Sequence, residues 1–165
     1  MESDVRTVDE RQWLSDNIIY FMYEFFERCR YLPTPCNISR CRNTNDPPQQ
    51  SSLLFVCPST VQFIKFNMPG LSDIAEELRW KHKNVIFFPL NDQSSPTAGG
   101  THWSLLVYCR QGLSDIVTGP VGSSFLHLDS SYNGPNNTIA DKVAEIIASY
   151  VDDSPGVGKT VRGKI

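Results

Sequence analysis

A histidine and an aspartate, His102 and Asp129, lie at the ends of two short apolar segments, in "GGTHWSLLVY" and "FLHLDSSY". Both segments are typical of β-strands, and the residues between them are compatible with a hairpin turn centred near residue 115 or 116. The start of one strand in an antiparallel pair lies opposite the end of the other. A register symmetric about that centre places His102 opposite Asp129, where the two side chains can interact. A one-residue slip would separate them.

A carboxylate beside an imidazole fixes its tautomer and stabilises its protonated form, so this pair would supply two members of a nucleophilic triad. The alternative is that His102 only begins a strand and that Asp129 makes a turn with Ser130. The third member of a triad would be a Ser or a Cys from elsewhere in the chain. Cys57 lies just before a helix start, where the pKa of a thiol can fall. Its neighbour Pro58 favours a structural role.

The sequence supports neither a metal site nor a phosphate-binding loop. The loop that contains Cys36 and Cys41 lacks further ligands at the spacing of a zinc site, so no metal site is predicted. The segment "GVGKT" is not a phosphate-binding loop, because Asp153 stands where that motif requires glycine.

The elements that position the pair follow from hydrophobic periodicity and from helix start signals. Asp16 is a candidate N-cap for the first helix. Residues 152–165 show no periodicity and are predicted to be disordered. A sheet covered by helices, the α+β class, is therefore expected. The predicted elements are helices at 14–28, from Pro58, at 71–81 and at 137–151, strands at 52–57, 84–90, 102–109 and 124–129, and a long loop at 31–52.

Composition excludes several functions and indicates a location. The net charge of −3 offers no basic surface for nucleic acid. No apolar run approaches the roughly 20 residues of a membrane span, so no membrane partner is expected. The first residues are polar and acidic, unlike a signal peptide. Five cysteines without a secretory signal indicate reduced thiols and a cytoplasmic or nuclear location.

Four segments carry a resemblance: "WLSDNIIYFMYEFF", "STVQFIKF", "NDQSSPTAGGTHWSLLVY" and "FLHLDSSY". They resemble the ubiquitin-like-protease family of cysteine peptidases, and within it the sentrin-specific-protease-like deneddylases. The resemblance implies a papain-like architecture, with a mixed sheet flanked by helices, in a partial domain at 1–151 followed by a non-homologous tail at 152–165. It implies hydrolysis after the C-terminal diglycine of a ubiquitin-like modifier, either Nedd-type or SUMO, without a cofactor.

The resemblance also implies roles near the strand ends. His102 matches the general base and Asp129 the carboxylate that orients it. Trp103 matches an aromatic residue that covers the narrow channel for the diglycine, which only glycine can pass because it has no side chain. Plain core packing is the alternative for Trp103.

Three further positions are matched by the same resemblance. Trp13 and Asp16 match a motif that contacts the modifier, with helix capping as the alternative for Asp16. Asn91 matches a residue at a strand end near the cleft.

One part of the family pattern is missing. The family continues after its aspartate with a Gln that stabilises the oxyanion and then with the nucleophilic Cys, and neither residue type follows Asp129. The chain is therefore expected to be truncated at its C-terminus and inactive alone. The alternatives are a non-catalytic fragment that binds the modifier and an unrelated α+β domain with a chance match.

Overall fold

A computed structural model describes most of the chain. The described residues are 2–9, 12–31, 53–95, 100–110, 123–131, 134–151 and 159–164, with only the backbone described at Glu2, 27–31 and 159–164. By its internal contacts the chain divides into two units, Met1–Ser51 and Ser52–Ile165. The predicted loop at 31–52 lies outside the described residues, except for Tyr31.

The described part of the first unit is helical. It contains α1 (Glu2–Val5), a 3₁₀ turn (Arg6–Val8) and α2 (Asp16–Tyr31). The predicted N-cap, Asp16, is wrong by one residue: the Oγ of Ser15 accepts the backbone N–H of Ile18 at 3.4 Å. Ser15 is therefore the capping residue, and Asp16 is the first residue inside the helix, where its negative charge suits the helix dipole.

The second unit is built on a five-stranded mixed sheet in the order β1-β2-β3-β4-β5. The β2–β3 and β3–β4 pairs are antiparallel, and the outer pairs are parallel. The mixed sheet and the β3–β4 pairing confirm the prediction. The strands are β1 (Leu53–Phe55), β2 (Val85–Asn91), β3 (Trp103–Cys109), β4 (Ser124–Asp129) and β5 (Lys159–Lys164).

At residues 159–164 the structure differs from the predicted disorder, because β5 pairs with β4 along its whole length. The rest of the tail predicted to be disordered, residues 152–158 and 165, lies outside the described residues. Its sequence, "KTVRGK", contains charged residues and a glycine and shows no apolar alternation. Such an edge strand is held by backbone hydrogen bonds with its neighbour, which hydrophobic periodicity does not reveal.

Within the described part of the second unit, three helices accompany the sheet: α3 (Pro58–Lys65), α4 (Leu71–Glu77) and α5 (Asn137–Val151). Pro58 is at the start of α3, as predicted, because proline suits the first turn of a helix. The single helix predicted at 71–81 is interrupted. Arg79 takes a left-handed conformation with φ of 54°, and a separate 3₁₀ turn follows at Trp80–His82. Within the described residues, no helix has both the length and the apolar character needed to cross a membrane.

The core lies between α3, α4 and α5 and one face of the sheet. Side chains alternate between the two faces of a strand, so the residues of β3 and β4 on this face occur at every second position. Core residues with no exposed surface include Ile64, Trp80, Ile86, Phe88, Leu90, Leu106, Tyr108, Phe125, Val143 and Ile147. This packing fixes which side chains at the strand ends face the same way as the core.

Candidate active site

His102 and Asp129 meet, although the predicted register is wrong by two residues. The observed pairing opposes Leu105 to Leu128, so that continuing it by one residue puts Ser104 opposite Asp129. His102 is therefore a diagonal neighbour of Asp129, a position within reach of long side chains. A shift of two residues preserves the face of every side chain, because alternation along a strand has a period of two. The predicted contact is confirmed for this reason.

The contact is a short hydrogen bond between His102 Nε2 and Asp129 Oδ1, at 2.6 Å. The same oxygen accepts the backbone N–H of Ser131 at 2.8 Å. The side chains of His102 and Asp129 are 18% and 6% exposed, so the pair lies at the edge of the core with the ring still reachable from solvent.

Asp129 is held as a carboxylate. Burial opposes its ionisation, but the backbone N–H of Ser131 and the His102 ring outweigh burial and keep the pKa of Asp129 below its ordinary value. Its second oxygen, Oδ2, is buried and has no hydrogen-bond partner among the described residues. Within the described part of the chain, the Asp129 carboxylate is thus held through Oδ1.

This geometry assigns different tasks to the two ring nitrogens of His102. When Nε2 carries the proton and donates it to Asp129, Nδ1 carries the lone pair and can accept a proton. The arrangement suits a general base whose tautomer and ring orientation are fixed by a carboxylate.

Trp103 and Asn91 form a second pair, directly opposite each other on β3 and β2. Trp103 is adjacent in sequence to both His102 and Ser104, so its side chain faces the other side of the sheet, as does that of Asn91 opposite it. Asn91 is 4% exposed, and its Oδ1 accepts the backbone N–H of Gln93 at 2.7 Å. Asn91 therefore shapes the start of the β2–β3 loop, whereas Trp103 lies at the beginning of the strand that follows His102.

The other two predicted site residues belong to the first unit. Trp13 precedes α2 and is 63% exposed, and Asp16 is exposed in the first turn of that helix. With Ser15 as the cap, the capping role considered for Asp16 is wrong. The predicted contact of Trp13 and Asp16 with a modifier stays a prediction.

A buried polar cluster beside the pair was not predicted from the sequence. His127 Nε2 and Ser104 Oγ are 3.0 Å apart, and Asn136 Nδ2 donates to the same Oγ at 3.0 Å. All three residues are buried. Ser104 and His127 lie two positions from His102 and Asp129, so strict alternation would have indicated polar residues on the core face. Asn136, in the turn before α5, gives no such signal.

Neither thiol in the described part of the chain reaches His102. The Cys57 sulfur lies 3.2 Å from the hydroxyl of Ser59 and 3.0 Å from that of Thr60. Burial would raise the pKa of Cys57, but hydrogen bonds from these two residues lower it on balance. Cys109 ends β3, and burial raises its pKa. Among the described residues, no group of three or more His, Cys, Asp or Glu could hold a metal ion.

Comparison with known proteins supports the resemblance, although no protein-family model matches the chain. Human sentrin-specific protease 8 is 32% identical over 152 residues, which cover 91% of this chain and 59% of that protein. NEDD8-specific protease 1 of Arabidopsis thaliana is 26% identical over 92% of this chain and 56% of its own length. The chain thus spans somewhat more than half of these relatives.

A solved structure has the same fold. The chain superimposes on XopD of Xanthomonas, described as a ubiquitin-like protein protease, with a TM-score of 0.51 and 19% identity over 91% of this chain and 70% of XopD. The sheet, its helices and this likeness define an α+β protein with a papain-like fold. Within that class, the chain is similar to sentrin-specific protease 8 of human and mouse, at 32% and 34% identity.

Proposed function

We propose that His102 and Asp129 are the general-base pair of a cysteine peptidase that cleaves after the C-terminal diglycine of a ubiquitin-like modifier. The observation that carries this proposal is the 2.6 Å hydrogen bond between the two side chains. The name of the Arabidopsis thaliana relative, NEDD8-specific protease 1, favours a Nedd-type modifier, with SUMO as the alternative. Such a substrate fits the predicted cytoplasmic or nuclear location, where thiols stay reduced.

In this mechanism, Nδ1 of His102 takes the proton of a cysteine thiol, and Asp129 stabilises the resulting imidazolium. The thiolate attacks the carbonyl carbon of the terminal glycine. The tetrahedral intermediate then expels the amine of the conjugate, which receives the proton from His102. A water molecule, deprotonated by the same Nδ1, hydrolyses the thioester and regenerates the thiol. Trp103 would cover the channel through which the two glycines reach this centre.

We propose further that the 165-residue chain does not run this cycle alone. All five cysteines precede Asp129 in the sequence, and neither described thiol contacts His102. A second candidate function is therefore binding of a modifier without chemistry. The exposed indole of Trp13 favours that candidate, because an exposed aromatic side chain can anchor a protein interface.

Titration with NEDD8, followed by NMR of the indole N–H groups, tests both candidates. The chain has three tryptophans, so each gives one assignable signal. Trp80 is fully buried in the core and serves as an internal control. The peptidase proposal predicts saturable shifts of Trp103 that disappear when NEDD8 lacks its last two glycines. Shifts of Trp13 alone, independent of the two glycines, favour the binding module. No saturable shift at high micromolar NEDD8 rejects both.

A chemical probe tests the proposed lack of activity. NEDD8 with a C-terminal electrophile should bind the chain without forming a covalent adduct, as measured by intact-protein mass spectrometry. Blocking all thiols with iodoacetamide beforehand provides the control sample. An adduct that this pretreatment prevents would show that one of the five cysteines acts as the nucleophile, contrary to the proposal.

A further inference from the structure

The backbone of His102 is held by one residue, Asp92, in the loop after β2. Asp92 Oδ1 accepts the backbone N–H of Thr101 at 2.6 Å and that of His102 at 3.1 Å, and Oδ2 accepts the Thr101 hydroxyl at 2.9 Å. The backbone N–H of Asp92 donates in turn to the carbonyl of His102 at 3.2 Å. Both backbone polar groups of His102 are therefore bonded to Asp92.

Asp92 is itself braced from the core. The Nζ of Lys65, a side chain that is 5% exposed, donates to the carbonyl of Asn91 at 2.6 Å and also to the carbonyl of Gln93. These two carbonyls flank Asp92 in the sequence. A buried ammonium group thus holds the loop on both sides of the carboxylate, so the position of Asp92 is set by α3 and not by the loop alone.

We propose that Asp92 is a positioning residue that aims the imidazole of His102 at Asp129. This inference rests on the proposed role of His102 as the general base. His102 lies just before β3, which begins at Trp103, so the strand ladder alone does not fix its backbone. Asp92 supplies the missing restraint on the backbone, and Asp129 restrains the ring. A general base has to be held close to its productive geometry, because small displacements of the ring lower its effectiveness.

The ionisation of Asp92 agrees with this role. Burial raises its pKa, but the hydrogen bonds from Thr101 and from the backbone of His102 outweigh burial and place the pKa below its ordinary value. At neutral pH the side chain is a carboxylate, which accepts hydrogen bonds through both oxygens and donates none.

The exchange of the Nε2 proton of His102 with water tests the proposal in the 165-residue chain without any modifier. This proton lies in a short bond to a carboxylate and should give a distinct downfield NMR signal. We expect Asp92→Ala to speed the exchange of this proton at least about tenfold. The reason is that a less well-held His102 forms a weaker charge-assisted hydrogen bond with Asp129. Asp129→Ala, which removes the acceptor, should abolish the signal.

Two variants and the signals of two other histidines separate positioning from general stability. Asp73→Ala removes an exposed carboxylate from the first turn of α4 and should leave the exchange of the His102 proton within about twofold of the original chain. Asp92→Asn keeps one oxygen for the two backbone N–H groups and should restore most of the protection. The ring signals of His82, which is exposed, and His127, which is buried, should not change in Asp92→Ala.

One result overturns the proposal: Asp92→Ala lowers the free energy of unfolding but leaves the exchange of the His102 proton unchanged. If Asp92→Ala does not fold, hydrogen exchange of the original chain decides the matter. The backbone amides of Thr101 and His102 should be protected at least about tenfold relative to an unstructured peptide, and unprotected amides refute the proposal. Failure of NEDD8 binding would not alter either measurement, so the two proposals fail separately.

Discussion

The glycine before Thr101 offers a sharp test of how the β2–β3 loop is packed. Gly100 has a φ of +99°, and a Cβ atom added there would lie 1.9 Å from Oδ1 and 2.6 Å from Cγ of Asn91. The Asn91 side chain is buried and bonded to the backbone of Gln93. In Gly100→Ala, the new methyl group would overlap the side-chain amide of Asn91, so one of the two has to move.

The expected destabilisation has two parts. An alanine at a positive φ costs about 1–2 kcal/mol, because its Cβ crowds the backbone. Displacing the Asn91 amide costs about 1 kcal/mol more, since its hydrogen bond with Gln93 is lost. We therefore expect Gly100→Ala to lower the free energy of unfolding by about 2–3 kcal/mol.

The chain contains a matched control for the backbone part. Gly70, just before α4, has a φ of +91°, but a Cβ added there would meet no atom within 4 Å. Gly70→Ala should therefore cost only about 1–2 kcal/mol. Urea denaturation of the three proteins, followed by tryptophan fluorescence, measures the difference between the two variants. Equal losses of stability would refute the idea that Asn91 fills the space beside Gly100.

A double-mutant cycle isolates the contact itself. Asn91→Ala removes the amide with which the new methyl group collides. Combined with Gly100→Ala, it should therefore relieve about 1 kcal/mol of the summed losses. Additive losses in the same urea assay would contradict a direct contact between the two positions.

Three further predictions concern acid stability, a partly buried arginine and thiol reactivity. The lowered pKa values of Asp92 and Asp129 mean that their stabilisation is complete above the ordinary value of 3.8 and is lost as pH falls below it. As the pH is lowered from about 5 to about 3, the urea concentration at the unfolding midpoint should therefore fall. It should fall less in the variant in which both residues are changed to Asn. Arg110 donates to three backbone carbonyls at 2.8–3.1 Å. Arg110→Lys should therefore lower the free energy of unfolding by about 2 kcal/mol in the same assay. An unchanged free energy of unfolding would show these hydrogen bonds to be dispensable. Iodoacetamide should alkylate Cys57 before Cys109 in peptide mass spectrometry, because the pKa of the first thiol is lowered and that of the second is raised; the reverse order would contradict this assignment.

Much of the local structure could be predicted from the sequence. The helix over Asn137–Val151, the start of α3 at Pro58 and the strand over Ser124–Asp129 all follow from periodicity and from helix start signals. The failures occur where backbone conformation is set by distant contacts. The break at Arg79 and the strand Lys159–Lys164 leave no mark on the apolar pattern.

The candidate site likewise has features that the sequence predicts and features that it does not. The sequence placed His102 and Asp129 on one face of two adjacent strands, because period-two alternation assigns each side chain to a face. It could not distinguish the symmetric register from one shifted by two residues, since both give the same alternation.

The sequence by itself determined the type of most elements and which histidine and aspartate are available for chemistry. Only the tertiary structure decided that the two residues meet diagonally at 2.6 Å, that Ser104, His127 and Asn136 form a polar cluster beside them, and that Asp92 holds the backbone of His102. The physical reason is that these contacts join residues up to 32 positions apart. Their geometry depends on strand register and loop path, which are set by packing of the whole unit and not by any local pattern.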